Sequence, residues 1–313
     1  MDTSQIFSQM TILFAILAIG FIAAKAKVLT PESNRHLSSL VLYVTNPCTI
    51  LYSVLSADAA LTKRELLLLT VIAVVFYAAL IGIAHFVPKL LRVRGDLAGI
   101  YRFMTVFPNV GFMGFPVVKA VFGQGAVFYA AIFNLFFQFY LYTWGVRQIS
   151  HDPRDGRLNL RTALQPVIIA SLLAYLIYLF DLKPVITATV PGQLLTSVLS
   201  MVNGVTSPLS MIITGVGLSM VPIRKVLTNG RLYLLAIGKQ ILLPIAVFFL
   251  LSPIVKNELI LGICVIMAAM PVATSASLFC AQYNGPADEA ASGIFLSTLL
   301  SVAAVPLVMM LLF

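Results

Sequence analysis

Charge is scarce in this chain. Only 10% of its 313 residues are Asp, Glu, Lys or Arg, against roughly a quarter in a soluble globular protein. With 60% of the residues hydrophobic and a mean hydropathy of +1.01, the sequence excludes a soluble fold and requires lipid as the solvent for most of its surface. Acidic residues are scarcer still. There are 11 Asp and Glu together, all at the ends of apolar runs or in loops, which excludes a buried aspartate pair of the kind an intramembrane protease needs. Histidines are fewer again, and His36, His85 and His151 all lie near run ends, so a buried Ser–His pair is excluded too. The three cysteines, Cys48, Cys264 and Cys280, lack metal-ligand spacing and cannot pair completely, which leaves them as small packing residues. No G-x-x-x-x-G-K-[ST] pattern occurs, so ATP is not the direct energy source. Nothing here points to an enzyme or calls for a cofactor or a metal.

What is present is a series of long apolar runs. A membrane-spanning helix needs about 20 mostly apolar residues, and runs of that order fall near 5–24, 37–57, 66–87, 97–118, 124–146, 163–180, 193–219, 230–251, 259–280 and 288–312. Ten spans joined by short loops leave no room for a soluble domain. The first span has neither a basic n-region nor a small-residue cleavage site and is expected to be retained. The net charge of +9 reads as a topology signal and not as a nucleic-acid footprint. If the spans alternate, one side receives Lys25, Lys27, Arg35, Lys89, Arg92, Arg94, Arg102, Arg147, Arg154, Arg157, Arg161, Arg224, Lys225 and Arg231. The other receives Lys63, Arg64, Lys183 and Lys256. The basic side is expected to be cytoplasmic, with both termini outside the cell membrane.

The two halves repeat one design. Span 2 carries VTNPCTI, with Asn46-Pro47 in mid-span, and Pro108 follows 61 residues after Pro47. Span 7 carries GVTSPLS, with Ser207-Pro208 in mid-span, and Pro271 follows 63 residues after Pro208. VFGQG at 121–125 and AQYNG at 281–285 then form matched turns. Five spans per copy is an odd number, so the second copy runs through the membrane in the opposite sense. Matched interruptions in inverted halves point to a transporter's binding site. The expected fold is an all-α polytopic membrane protein of ten helices, with a first repeat at 1–147, a short cytoplasmic linker at 148–162 and an inverted repeat at 163–313. Spans 4 and 9 are interrupted and cross.

The chemistry lies in those interruptions. Residues 107–116 read FPNVGFMGFP. Pro108 and Pro116 remove backbone donors, while Gly111 and Gly114 permit a turn and close helix approach. Unpaired backbone groups survive in a membrane only when buried in protein or facing a watery cavity. A half-helix starting near Gly111 aims free N–H groups at the break, and Asn109 adds amide donors. Near Pro271, Thr274, Ser275 and Ser277 offer hydroxyls. Two half-helix N-termini lined with such donors suit an anion, above all a carboxylate. Freed carbonyls could favour a cation instead, but intramembrane cation sites usually recruit a carboxylate, and none lies in mid-span.

FPNVGFMGFPVVKAVFGQGAVFYAAIFN, the K-x4-P element from Lys239 to Pro244, and AAMPVATSASLFCAQYNG resemble the auxin efflux carrier family, over all ten spans. That family contains plant auxin carriers and bacterial relatives described as malate permeases or organic-acid transporters, and its fold is related to that of bile acid–sodium symporters. The resemblance implies a scaffold of helices 1, 2, 6 and 7, a mobile transport domain of helices 3–5 and 8–10, and a homodimer. It implies that a small organic anion binds where helices 4 and 9 cross, with Asn109 on its carboxylate, and moves by an elevator-like shift. Two departures stand out. The loop between halves is short, unlike the long loops of many plant members, which suggests a prokaryotic inner-membrane protein. Span 9 carries Gln282 in place of the glutamate used by sodium-coupled relatives, so proton, sodium or no coupling ion all stay open.

Other polar residues have two readings each. Lys119 can snorkel to the outer interface or attract an anion. Lys239 lies deeper, where cations are functional candidates; its partner could be carbonyls near Pro244, Gln240 or the substrate. Asn46 either closes the site or holds a helix contact. Asn134 and Gln138, four apart on span 5, either line the cavity or pack. Alternatives to an organic-anion carrier are a sodium-coupled bile-acid-symporter-like carrier, a channel built from broken helices, and a membrane sensor, a role that does not explain the paired breaks or the inverted halves.

Overall fold

The computed structural model describes residues 3–56, 62–150, 152, 164–221, 226 and 228–313. Most of the linker expected at 148–162, together with His151, Arg154, Arg157, Arg161, Arg224 and Lys225, lies outside the described residues. Among the described residues the regular elements are all helices, with no strand. In lipid a backbone can satisfy its polar groups only within its own helix or inside protein, so long apolar runs fold this way.

Among the described residues seven helices are long and apolar enough to cross a membrane: Phe7–Lys25, Pro31–Ser56, Lys63–Leu90, Ala126–Ile149, Val190–Ser219, Gly230–Leu251 and Ala287–Leu312. Shorter apolar helices, Val110–Phe122, Pro166–Leu179 and Glu258–Ala269, fall where spans 4, 6 and 9 were expected. Large apolar side chains such as Leu67, Leu90, Met201 and Leu250 stand well exposed on these helices, as a lipid-facing surface requires.

The proline signals resolve into two kinds. Among the described residues four turns are widened to π-helical geometry: Val41–Thr45, Val110–Gly114, Leu141–Gly145 and Gly238–Leu242. Three of them end two residues before a proline (Pro47, Pro116 and Pro244). A proline ring collides with the carbonyl four residues back, and one extra residue in the turn moves that carbonyl away. The Asn46 N–H accordingly bonds the Val41 carbonyl, five residues back, and the Leu243 N–H bonds Gly238 in the same way. Pro208 lies inside the continuous helix Val190–Ser219. The interruptions expected in spans 2 and 7 are therefore a widened turn and an unbroken helix, whereas the chain leaves helical geometry at 107–109 and 270–273.

By packing, the chain divides into two units. The first comprises Met1–Val71, Gly111–Leu135 and Leu160–Met220. In it the helix Thr3–Lys25 lies against Val190–Ser219, and glycines set the approach. A Cβ added at Gly20 would fall on the Ile212 carbonyl, and one at Gly215 on the Leu17 carbonyl. The repeated V-T-polar-Pro motifs also meet here. Thr49 donates to the Thr206 hydroxyl at 2.8 Å, and Thr206 lies 3.4 Å from the Thr45 carbonyl. Such hydroxyl bonds hold helices together where lipid provides no hydrophobic drive.

The second unit comprises Ile72–Val110, Phe136–Asn159 and Val221–Phe313. It contains both breaks. Every residue from Ile260 to Ala269 of the helix Glu258–Ala269 is buried. The Phe107 ring, at the first break, packs on Phe103, Phe137 and Trp144 with centroids at 4.7, 5.5 and 6.2 Å.

Gly215→Val should overpack the contact between Thr3–Lys25 and Val190–Ser219 and destabilise the protein by roughly 1–3 kcal/mol or more. Gly217→Ala, where a Cβ meets open space, should be neutral or slightly stabilising. Thermal unfolding of the two variants in detergent checks this; equal midpoints would show that the close approach does not matter.

Candidate functional site

The two breaks, 162 residues apart in sequence, complete each other. At the first, the helix Asp96–Val106 ends and Phe107 turns to extended backbone (φ −99°, ψ 102°). At the second, Glu258–Ala269 ends and Met270 does the same (φ −63°, ψ 142°). The extended pieces form a one-residue antiparallel bridge between Pro108 and Val272. Two backbone bonds flank it: the Asn109 N–H donates to the Pro271 carbonyl at 2.8 Å, and the Ala273 N–H donates to the Phe107 carbonyl at 3.0 Å.

This register explains the prolines. Pro108 and Val272 occupy a non-hydrogen-bonded pair, where both N–H positions point away from the partner strand. Proline has no N–H to lose there. The outward N–H of Val272 does need a partner, and the hydroxyl of Ser297 accepts it at 3.0 Å. Ser297 belongs to the last helix, Ala287–Leu312, and donates its own proton to the Gly293 carbonyl at 2.7 Å.

The carbonyl side is served by Lys239. In an unbroken helix the Thr105 carbonyl would accept from Asn109 four residues on, but that N–H is committed to Pro271. The Lys239 ammonium donates to Thr105 instead, at 2.8 Å, with the side chain 4% exposed. Its partner is thus a carbonyl on another helix, not one near Pro244. Gln240, next in the widened turn Gly238–Leu242, donates its amide to the Ser297 carbonyl at 2.7 Å. One turn therefore grips the supports of both breaks.

Among the expected site residues, Pro108, Asn109 and Pro271 come together through their backbones, and the Asn109 side chain is buried. Thr274 precedes the helix Ser275–Gln282 without capping it through its side chain. The Ser275 hydroxyl oxygen, in the first turn, is buried without a partner. Ser277 is part-exposed on the same helix. Gln138 is buried in this second unit. In the first unit, a Cβ at Gly111 would lie 3.3 Å from the Asn46 amide nitrogen, so glycine lets Asn46 close over that turn. Gly114 has ordinary helical torsions (φ −60°, ψ −48°), and Asn134 is buried. The chain passes between the units at Leu135/Phe136 and at Val110/Gly111.

Thr105 and Ser297 escaped the sequence reading. Thr105 acts through its carbonyl, which carries no residue-type signal. Ser297 sits in an apolar span beside small polar residues that bond their own helix, as Ser292 does to the Asp288 carbonyl and Ser301 to the Thr298 carbonyl. The net chemistry of the paired breaks is one buried cation, a buried hydroxyl and a helix N-terminus. In the same unit the Glu289 carboxylate accepts from Tyr101 at 2.7 Å and Asn229 at 2.8 Å. Among the described residues no His, Cys, Asp and Glu cluster suits a metal ion.

Ser297→Ala should strand the buried Val272 N–H and cost about 1–3 kcal/mol, read as a lower unfolding midpoint in detergent. Ser301→Ala removes a bond within its own helix and should cost less. Equal effects would remove the special role given to Ser297.

Two stretches of the chain, residues 5–158 and 154–309, match the model of a single family, described as membrane transport protein. The chain is 26% identical over 298 residues to an uncharacterized transporter of Methanothermobacter thermautotrophicus, covering 93% of each. It is 26% identical over 305 residues to an uncharacterized transporter of Methanocaldococcus jannaschii, covering 95% of each. With paired proline breaks in an all-helical chain and one family model matching each half in turn, the protein belongs to the membrane transport protein family that includes the auxin efflux carriers.

Proposed function

We propose that the chain is a secondary transporter of a small organic anion bearing a carboxylate, which binds at the paired breaks around Asn109 and Pro271. The observation that carries this reading is the buried Lys239 ammonium, which donates to a neutral carbonyl. A buried charge without a counter-charge is costly, and an anionic substrate would supply the missing half. The Ser275 hydroxyl and the N-terminal end of Ser275–Gln282 add donors and a partial positive charge of the kind carboxylates accept.

The proposed architecture is ten spans in two inverted repeats. The family model's match to each half supports the repeat, and an odd number of spans per half makes it inverted. Contacts between loops expected on one side agree with the alternation: Lys63 pairs with Asp181 at 2.6 Å, and Lys25 donates to the Ser219 carbonyl at 2.9 Å. On this reading the protein lies in a prokaryotic cell membrane with both termini outside, as a homodimer. Helices 1, 2, 6 and 7 form its scaffold, and the remaining helices carry the anion by an elevator movement.

A thermal-shift series on the detergent-purified protein with small carboxylates, with and without sodium and at two pH values, tests the reading. At a hundredfold excess over Kd, a ligand that binds only the folded state stabilises it by about 2.7 kcal/mol. A carboxylate should give such a shift, and Asn109→Ala should weaken its binding roughly tenfold or more, the scale of a lost buried hydrogen bond. Unchanged affinity in the variant would remove Asn109 from the site. Stabilisation by cations or neutral solutes, and by no acid, would overturn the anion reading.

A further inference from the structure

Breaking the helix at Pro108 releases backbone oxygens inside the protein. The Met104 carbonyl has no N–H four residues on, because that residue is proline, and the Thr105 carbonyl loses Asn109 to Pro271. Both lie in the last turn of Asp96–Val106, where the helix dipole adds partial negative charge. In transporters built on broken helices, such carbonyl ends are where monovalent cations bind. Here a covalently attached cation is already in place: Lys239 on Thr105.

A second observation is independent of the first. The widened turn that carries Lys239 also carries Gln240, which is wholly buried, and its Oε1 has no partner. Its amide holds the Ser297 carbonyl, and the hydroxyl oxygen of the next residue, Thr298, is likewise buried without a partner. The oxygens left over in these elements are all neutral: the Thr105 carbonyl under the ammonium, an amide oxygen in the ammonium's own turn and a hydroxyl on the helix that Gln240 holds. A set of neutral oxygens with no carboxylate suits a single positive charge and not a divalent ion.

We propose that Lys239 is a tethered cation occupying a monovalent-cation site at the Thr105 carbonyl, and that removing its side chain opens this site to free sodium or a small alkylammonium. The site itself does not depend on what the protein carries. Its consequence rests on the anion reading: the native protein holds its anion without a sodium ion, because the lysine ammonium supplies that charge.

The test uses the full chain, purified in detergent without any organic acid. Apparent Tm is compared in sodium chloride, methylammonium chloride and choline chloride at equal ionic strength. The wild-type protein should unfold at the same temperature in all three. Lys239→Ala should unfold earlier in choline and regain at least half of the loss in sodium or methylammonium, whereas choline is too large to enter. Lys239→Met, which removes the charge but fills the space, should lose stability and regain none. The proposal is overturned if Lys239→Ala is indifferent to the cation, or if the Ala and Met variants respond alike. It is equally overturned if Lys239→Ala fails to fold in every salt while Lys239→Arg folds. Once an acid ligand is in hand, its stabilisation of the wild type should be equal in sodium and choline, and that of Lys239→Ala should require sodium. Absence of any acid ligand would count against the anion reading and leave the salt comparison standing.

Discussion

The organisation of the second unit depends on an exchange of two backbone hydrogen bonds. Asn109 and Ala273 each give up the helical partner four residues back and donate to the opposite break. Everything nearby compensates for that exchange. The Val272 N–H, displaced from its own helix, requires Ser297, and the Thr105 carbonyl, displaced in turn, requires Lys239. In lipid each of these groups left bare would cost several kcal/mol, so side chains well away from the breaks are committed to them.

This also explains why some prolines break their helices and others do not. Proline subtracts one donor and crowds one carbonyl. At Pro208 that loss leaves the helix Val190–Ser219 continuous, and at Pro47, Pro116 and Pro244 one extra residue in the preceding turn relieves the crowding. Pro108 and Pro271 differ because each faces a competing partner from the other break. A proline weakens the ladder; an alternative acceptor within reach turns the weakness into a break.

Much of this was legible in the chain. The density of Pro, Gly and Asn in FPNVGFMGFP located the first break, and the repeat spacing located the second. Cys264 and Cys280 are buried packing residues, as their apolar surroundings implied. Two things were not legible. Pro47 and Pro208 carried the same sequence signal as Pro108, because the deciding factor is a tertiary acceptor and not the proline. The partner of Lys239 was also hidden, since a carbonyl becomes available only through a backbone bond made elsewhere. Lys239 itself stood out as an intramembrane cation, but its destination did not.

The pairing of Asn109 with Pro271 has a consequence for how the protein is made. At roughly 5–20 residues per second of synthesis, the first break exists for something like 10–30 s before residue 271 has been added to the chain. For that interval Phe107 and Asn109 lack their final partners, and so do the groups that later meet Lys239 and Ser297. Neither packing unit is contiguous in sequence, so neither closes until the last third of the chain arrives. The nascent first half must shelter these polar groups in water, in the insertion channel or against a holding protein, and cannot be released into lipid as a finished module.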